Sequence, residues 1–246
     1  MDTQFTPETN AKKKPFAFAS ITLLFTAFLF FGNAFVPYLN ALTGHITISQ
    51  LLQAYTLSNI FYGAIIFCIL CTAVAAFFKK SNIFLIISLF ALAICLAIPA
   101  ATSAYSGIQT SANVNLPLEL RSNLVTAQIL DSVRMGMFSL GFLVIGMVAI
   151  FARMGKTKAV NLWWLAAAFF AIAIIAALIY AVINIKANYE YTVQQIEMLL
   201  KGWYSFIEVF SAFLISYCAP ALFIGTSVMN LINGILLGTY LKKLSK

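Results

Sequence analysis

FLVIGMVAIFARMGKTKAVNLWWLAAAFFAIAIIAALIYAVI, residues 142–183, is two apolar runs joined by one short basic turn holding Arg153, Lys156 and Lys158. Each run belongs to a stretch of more than 20 apolar residues, the length an α-helix needs to cross a hydrocarbon core of about 30 Å. Two such runs joined by a few residues make an antiparallel pair that enters and leaves the bilayer on the same side. The whole chain repeats this plan.

Long uninterrupted apolar runs occur at about 16–38, 51–78, 82–104, 124–152, 159–184 and 205–229. They predict an all-α, polytopic membrane helical bundle of six transmembrane helices. Composition agrees. Of 246 residues, 62% are hydrophobic and 9% charged, against about 25% charged in ordinary soluble domains. The mean hydropathy is +0.95. Lys12, Lys13 and Lys14 precede the first run, but that run is longer than the 7–15 residues typical of a signal-peptide core, so a retained anchor is expected.

The charges assign sides. With six spans, Lys12–Lys14, Lys79, Lys80, Arg153, Lys156, Lys158, Lys242, Lys243 and Lys246 all fall on one face. The other face holds Arg121, Arg134, Lys186 and Lys201 with five acids: Glu119, Asp131, Glu190, Glu197 and Glu208. The positive-inside rule then makes the chain three in–out–in hairpins with cytoplasmic N- and C-termini. Residues 1–15 read as a disordered tail, 16–230 as the transmembrane domain, and 231–246 as an amphipathic helix on the cytoplasmic surface. In that last segment Leu231, Ile232, Ile235, Leu236, Tyr240 and Leu241 oppose Asn230, Asn233, Lys242 and Lys243, with Gly234 and Gly238 allowing a bend. The loops on the other side, 39–50, 105–123 and 185–204, are expected to be long, the second flexible and the third holding a short interfacial helix. Trp163, Trp164, Trp203 and Tyr204 fit aromatic belts, and Pro99 and Pro220 predict kinks.

The net charge of +8 is explained by these topological clusters; no basic patch with interleaved aromatics exists, so nucleic acid is not an expected partner. Cys68, Cys71, Cys95 and Cys218 all lie in apolar runs and read as small packing residues rather than a disulfide framework. The single His45 has no ligand-type neighbours. No metal site, cofactor fingerprint or catalytic constellation is present, so no cofactor and no enzymatic activity are expected.

Chemistry is confined to a few polar residues. Asp131 and Arg134, three apart, share a helix face and can pair. Arg134 and Arg153 are 19 residues apart, or about 28 Å of helix, so they roughly bracket the core and Arg134 can snorkel outward. Glu208 stands near the start of the sixth span and is expected to pair with Arg134 across helices, since an unpaired ion in lipid is costly. Ser58 and Asn59, with Gln53, Tyr55 and Tyr62, cluster in the outer half of span two. Asp131, Arg134, Glu208, Ser58 and Asn59 are therefore the candidate substrate- or ion-binding residues, with no polar lining recognised in the inner half. Small residues four apart, Ala93/Ala97/Ala101 and Ala173/Ala177/Ala181, mark helix-packing faces. Spans two and four share seven identities at an offset of 73, from Leu51/Leu124 to Phe78/Phe151.

The expected function is a small-solute or ion transporter or transporter subunit of the cell (inner) membrane. The alternative is a non-catalytic anchoring or assembly subunit. The expected partners are the lipid bilayer and, through the small-residue faces, further copies or other membrane subunits.

Overall fold

The computed structural model describes residues 14–43, 47–77 and 83–245. Residues 1–13 of the expected disordered tail, His45, the turn bearing Lys79 and Lys80, and Lys246 lie outside them, while Lys14 and Pro15, expected in that tail, begin the first helix. Every element among the described residues is helical: α1 Lys14–Phe35, a 3-10 segment Val36–Thr43, α2 Ile48–Ala54, α3 Thr56–Phe77, α4 Ile83–Ala112, α5 Leu118–Arg153, α6 Thr157–Val160, α7 Trp163–Leu200 and α8 Phe206–Leu244. Six of the helices are long and apolar enough to cross a membrane. A bilayer interior leaves no water for backbone N–H and C=O groups, and a helix satisfies them internally.

Neighbouring long helices pack in chain order, α8 closes back on α1, and α5 meets α8 across the middle. The side-chain pairings fix their directions. Ser132 and Ser139 of α5 donate to the carbonyls of Ala100 and Ala93 on α4, so the partner number falls as the first rises. The same inverse order relates Ser20 to Ala73 and Phe30 to Tyr62 for α1 and α3. It relates Phe170 to Gly234 and Tyr180 to Phe223 for α7 and α8. The helices alternate, and Arg153, Lys156, Lys158, Lys242 and Lys243 gather at one end of the bundle, called here the basic end.

Differences from expectation concentrate at the opposite, far end. The loop expected at 105–123 is mostly helix: α4 continues to Ala112 and α5 starts at Leu118. The extension lies against α5 at Gly107, where a Cβ would make ordinary contact with Gln128 at 3.6 Å. The interfacial helix expected in 185–204 is the unbroken continuation of α7 to Leu200. Of the connection 39–50, residues 39–43 belong to the 3-10 segment and 48–50 to the start of α2, whose N-cap Thr47 forms a capping box with Gln50. Tyr55 marks the boundary of α2 and α3, with helical bonds from the Tyr55 N–H to Leu51 and from the Asn59 N–H to Tyr55 carrying across it, whereas the matching stretch of α5 is one helix.

Two turns use glycine for a stated reason. Gly155 and Gly202 have φ of 68° and 77°, the left-handed region open to glycine. At the first, the Gly155 N–H reaches Ala152 and the Lys156 N–H reaches Phe151; at the second, Gly202 reaches Leu199 and Trp203 reaches Met198. Both are Schellman closures, which occupy the last orphan carbonyls of α5 and α7.

The segment expected to bend onto the membrane surface does neither. α8 runs through Leu244 without interruption, and Asn230, Asn233, Gly234, Leu237, Gly238 and Leu241 are buried in the bundle. Gly234 and Gly238 are close-approach positions, not hinges. A Cβ at Gly238 would stand 2.6 Å from that of Trp163, which is thus a packing residue at this point. A Cβ at Gly234 would overlap the Phe170 ring, and so would one at Gly141 of α5. Phe170 is fully buried between them and packs edge-on to Phe142, ring centroids 5.2 Å apart. Of the small-residue faces, Ala173, Ala177 and Ala181 are buried as a set, whereas Ala97 and Ala101 are exposed and Ala93 and Ala100 take the contact with α5. A strict spacing of four drifts around a helix of 3.6 residues per turn.

Replacing Phe170 with Ala empties the slot between Gly141 and Gly234 and is expected to lower stability by about 3–5 kcal/mol, the cost of a large aromatic cavity. Gly234→Leu should be at least as harmful through overpacking. Thermal unfolding of the purified protein in detergent measures both.

Candidate functional site

Arg134 sits near the middle of α5, 1% exposed, although it is among the most strongly hydrated side chains when free. The fold provides for its charge in several ways. Its Nη2 donates to Asp131 Oδ1 at 2.8 Å, one turn earlier on the same helix. Its Nη1 donates to Thr226 Oγ1 of α8 at 3.1 Å. Its guanidinium carbon stands 3.6 Å from the centroid of the Phe223 ring and 5.6 Å from that of Phe138, both at cation–π distance. Phe223 in turn stacks on Tyr180 of α7, centroids 4.4 Å apart at 14°. Asp131 accepts a second bond, from Ser103 Oγ of α4 at 2.9 Å. One ion pair therefore joins four helices: α4, α5, α7 and α8.

The expectation that Arg134 snorkels outward is not met; the side chain is enclosed by protein. The pairing with Glu208 is not met either. Glu208 and Thr226 are 18 residues apart on α8, about 27 Å of helix rise, which no side chain spans. Glu208 instead caps its own helix: its Oε2 accepts from the Ser205 N–H at 2.7 Å and from Ser205 Oγ at 2.8 Å, while Ser205 Oγ accepts from the Glu208 N–H. The S-x-x-E pattern at 205–208 is the capping-box signature, a signal in the sequence for this local role.

Ser58 and Asn59 lie beside the ion pair and do not touch it. They line an open groove of about 240 Å³ between α1, α3 and α8, together with Asn33, Tyr55, Tyr62 and Phe223. Asn59 Nδ2 donates to the Tyr38 hydroxyl. Ser58 is exposed at the mouth and Asn59 half-buried. Phe223 lines the groove, and Arg134 and Tyr180 both lie against its ring. A second, wider cleft of about 510 Å³ runs between α5 and α7, lined by Glu119, Asn123, Asn184 and Asn188. Asn184 is one turn from Tyr180, so this cleft too descends toward the stacked rings.

Sequence reasoning missed a polar stripe on α8. Thr226, Ser227, Asn230 and Asn233 are all 0% exposed, spaced so that they share one helix face. Asn233 Nδ2 donates to Thr26 Oγ1 of α1 at 2.8 Å, and Thr26 spends its own proton on the Thr22 carbonyl. Asn233 Oδ1, both polar atoms of Asn230, and Arg134 Nε have no partner in the protein. The stripe was legible as Thr226, Asn230 and Asn233 at helical spacing, but Thr226 fell in the sixth span and the two asparagines on the polar side of a surface helix. Cys68 lies 3.8 Å, sulfur to sulfur, from Cys95 on α4 rather than beside Cys71, and the cysteines are free. Among the described residues no group of three or more His, Cys, Asp and Glu is placed to hold a metal ion.

Comparison of the chain with protein-family models, with curated proteins and with solved structures finds no match in any of the three. What the chain itself displays is an all-α bundle whose six membrane-length helices are those of a multi-pass membrane protein.

Asp131→Asn leaves the buried guanidinium without its counter-charge and is expected to cost about 3–5 kcal/mol. Asp131→Asn combined with Arg134→Gln removes both charges and should recover part of that loss. Denaturation midpoints of the two single variants and the double variant, in detergent, give the coupling; additive losses would mean that the pair carries no joint energy.

Proposed function

We propose that the protein is a small-solute transporter or transporter subunit of the cell membrane, with both termini cytoplasmic and its central site at Arg134 and Asp131. One observation carries this reading. Phe223 is at once the wall of the polar groove that opens toward the far end and the ring on which Arg134 rests. From Thr226 the buried polar stripe continues toward the basic end. Polar groups thus extend along the interior from the groove past the midpoint of α8, where a purely structural helix in lipid would bury apolar side chains. An ionisable residue enclosed at this depth is a functional-site candidate by its cost alone.

The orientation rests on charge. Arg153, Lys156, Lys158, Lys242 and Lys243 share the basic end, and an excess of Lys and Arg marks the cytoplasmic side. Cysteine placed at Val114, in the far-end turn, should react in intact cells with a membrane-impermeant thiol reagent. Cysteine at Lys156 should react only after permeabilisation. The opposite pattern overturns the orientation.

A second reading, a non-catalytic assembly subunit, draws support from the far half of α8, where Phe206, Ile207, Phe210 and Phe213 present one exposed apolar face. Flux separates the two. Purified protein in vesicles should accelerate release of small polar solutes, and a bulky thiol reagent on Ser58→Cys, at the groove mouth, should block it. Absence of flux, together with co-purification of fixed membrane partners, replaces the transport reading with the assembly one.

A further inference from the structure

The unpartnered atoms on the α8 stripe are not random in kind. Arg134 Nε and Asn230 Nδ2 are donors; Asn230 Oδ1 and Asn233 Oδ1 are acceptors. The orientation of Asn233 is fixed by chemistry. Thr26 Oγ1 gives its proton to the Thr22 carbonyl, so toward Asn233 it can only accept, and the Asn233 amide nitrogen must face it. Asn233 Oδ1 is then the atom left over. For Asn230 the choice of rotation does not matter, because either one leaves one donor group and one acceptor open. All three side chains are at least 99% buried, and a buried polar atom with no partner costs about 1–3 kcal/mol.

This mixture of donors and acceptors discriminates among ligands. A cation would satisfy the two amide oxygens and face the Asn230 N–H groups and the guanidinium. An anion would satisfy the donors and face two amide oxygens. Only a molecule that both donates and accepts meets all four. The charge balance agrees: Arg134 and Asp131 cancel within 2.8 Å, so the tract offers no net field to hold an ion. Thr226 and Asn233 are seven residues apart, which spreads the open groups over about 10 Å of α8. Small molecules bridging these groups, as buried waters bridge otherwise unsatisfied polar atoms, would supply the missing partners.

Building on the transport reading, we propose that the tract from Arg134 to Asn233 binds and conducts small neutral hydrogen-bonding molecules, water itself or a small polyol or amide of the glycerol or urea class, and not ions. Asn230 is the central residue, its amide turning donor to one neighbour and acceptor to the next. Asn233 is the acceptor nearest the basic end, oriented by Thr26. Arg134 Nε is the donor at the groove end.

The full-length protein is reconstituted in vesicles of phosphatidylcholine and phosphatidylglycerol. Stopped-flow light scattering measures shrinkage in sucrose for water and re-swelling in glycerol or urea. Potassium and chloride fluxes are followed in parallel with ion-sensitive dyes. The expected result is faster permeation of water, or of glycerol or urea, than in protein-free vesicles, with no ion flux. Asn230→Leu and Asn233→Leu should each reduce that permeation about tenfold, the weight of one buried hydrogen-bonding partner. The melting temperature of Asn230→Leu should not fall, since Leu fills similar volume without stranding a polar atom, whereas Asn233→Leu also gives up the bond to Thr26 and should melt slightly lower. Ion flux without neutral-solute flux overturns this inference and leaves the transport reading standing. Neutral-solute flux unchanged in both Leu variants also overturns it, because the asparagines would then be packing residues. No flux of either kind removes both readings.

Discussion

The bundle is organised around the place where α5, α7 and α8 come closest. Gly141 and Gly234 have no side chain, and the Phe170 ring fills the space their missing Cβ atoms would take. In lipid no hydrophobic force separates one apolar helix face from another, so close van der Waals contact is what holds helices together. Small residues opposite an aromatic knob allow that contact. The consequence reaches the polar centre. Arg134 lies seven residues before Gly141, and Thr226 eight before Gly234, each about two turns away on the same face. Because the two helices are close at the glycines and run in the same direction, Arg134 and Thr226 meet at 3.1 Å.

Burial of Arg134 therefore follows from packing, and the network around it follows from burial. A guanidinium shut away from water needs a counter-charge, hydrogen-bond acceptors and polarisable surroundings. Asp131, Thr226, Phe223 and Phe138 supply them from two helices, and Ser103 and Tyr180 extend the set to four. Nε is left over. The same logic applied to Asn230 and Asn233 gives the opposite result, since one turn further along α8 the fold supplies few partners. The tract is well satisfied at one end and open at the other.

The candidate residues were legible to different degrees. Asp131 and Arg134 were found by spacing alone, because two charges three apart on an apolar helix have one another as nearest partner. Glu208 caps its own helix rather than pairing with Arg134. Its S-x-x-E pattern with Ser205 was present, but an acid near a span invites a long-range partner more readily than a local cap. Asn230 and Asn233 were seen as polar and placed in water. The pattern of Leu231, Ile235 and Leu236 against Asn230 and Asn233 is amphipathic either way. A helix with a polar face can lie on a membrane surface or turn that face into a polar interior, and periodicity is the same in both.

The sequence by itself determined the number of membrane-length helices, their order and the grouping of Arg153, Lys156, Lys158, Lys242 and Lys243 at one end. These follow from run length and charge, which are local properties, and from the rule that a helix in lipid must satisfy its own backbone. Tertiary structure alone decided where the helices stop and which way their faces point. α4, α5 and α7 extend well past the expected span ends, and the α4 extension lies against α5 where Gly107 faces Gln128, a contact that no window along the chain can register. Whether Asn230 faces water or the bundle core was settled by a phenylalanine 60 residues earlier fitting against a glycine four residues later. Packing between residues distant in sequence sets orientation, and orientation gives a polar side chain its function.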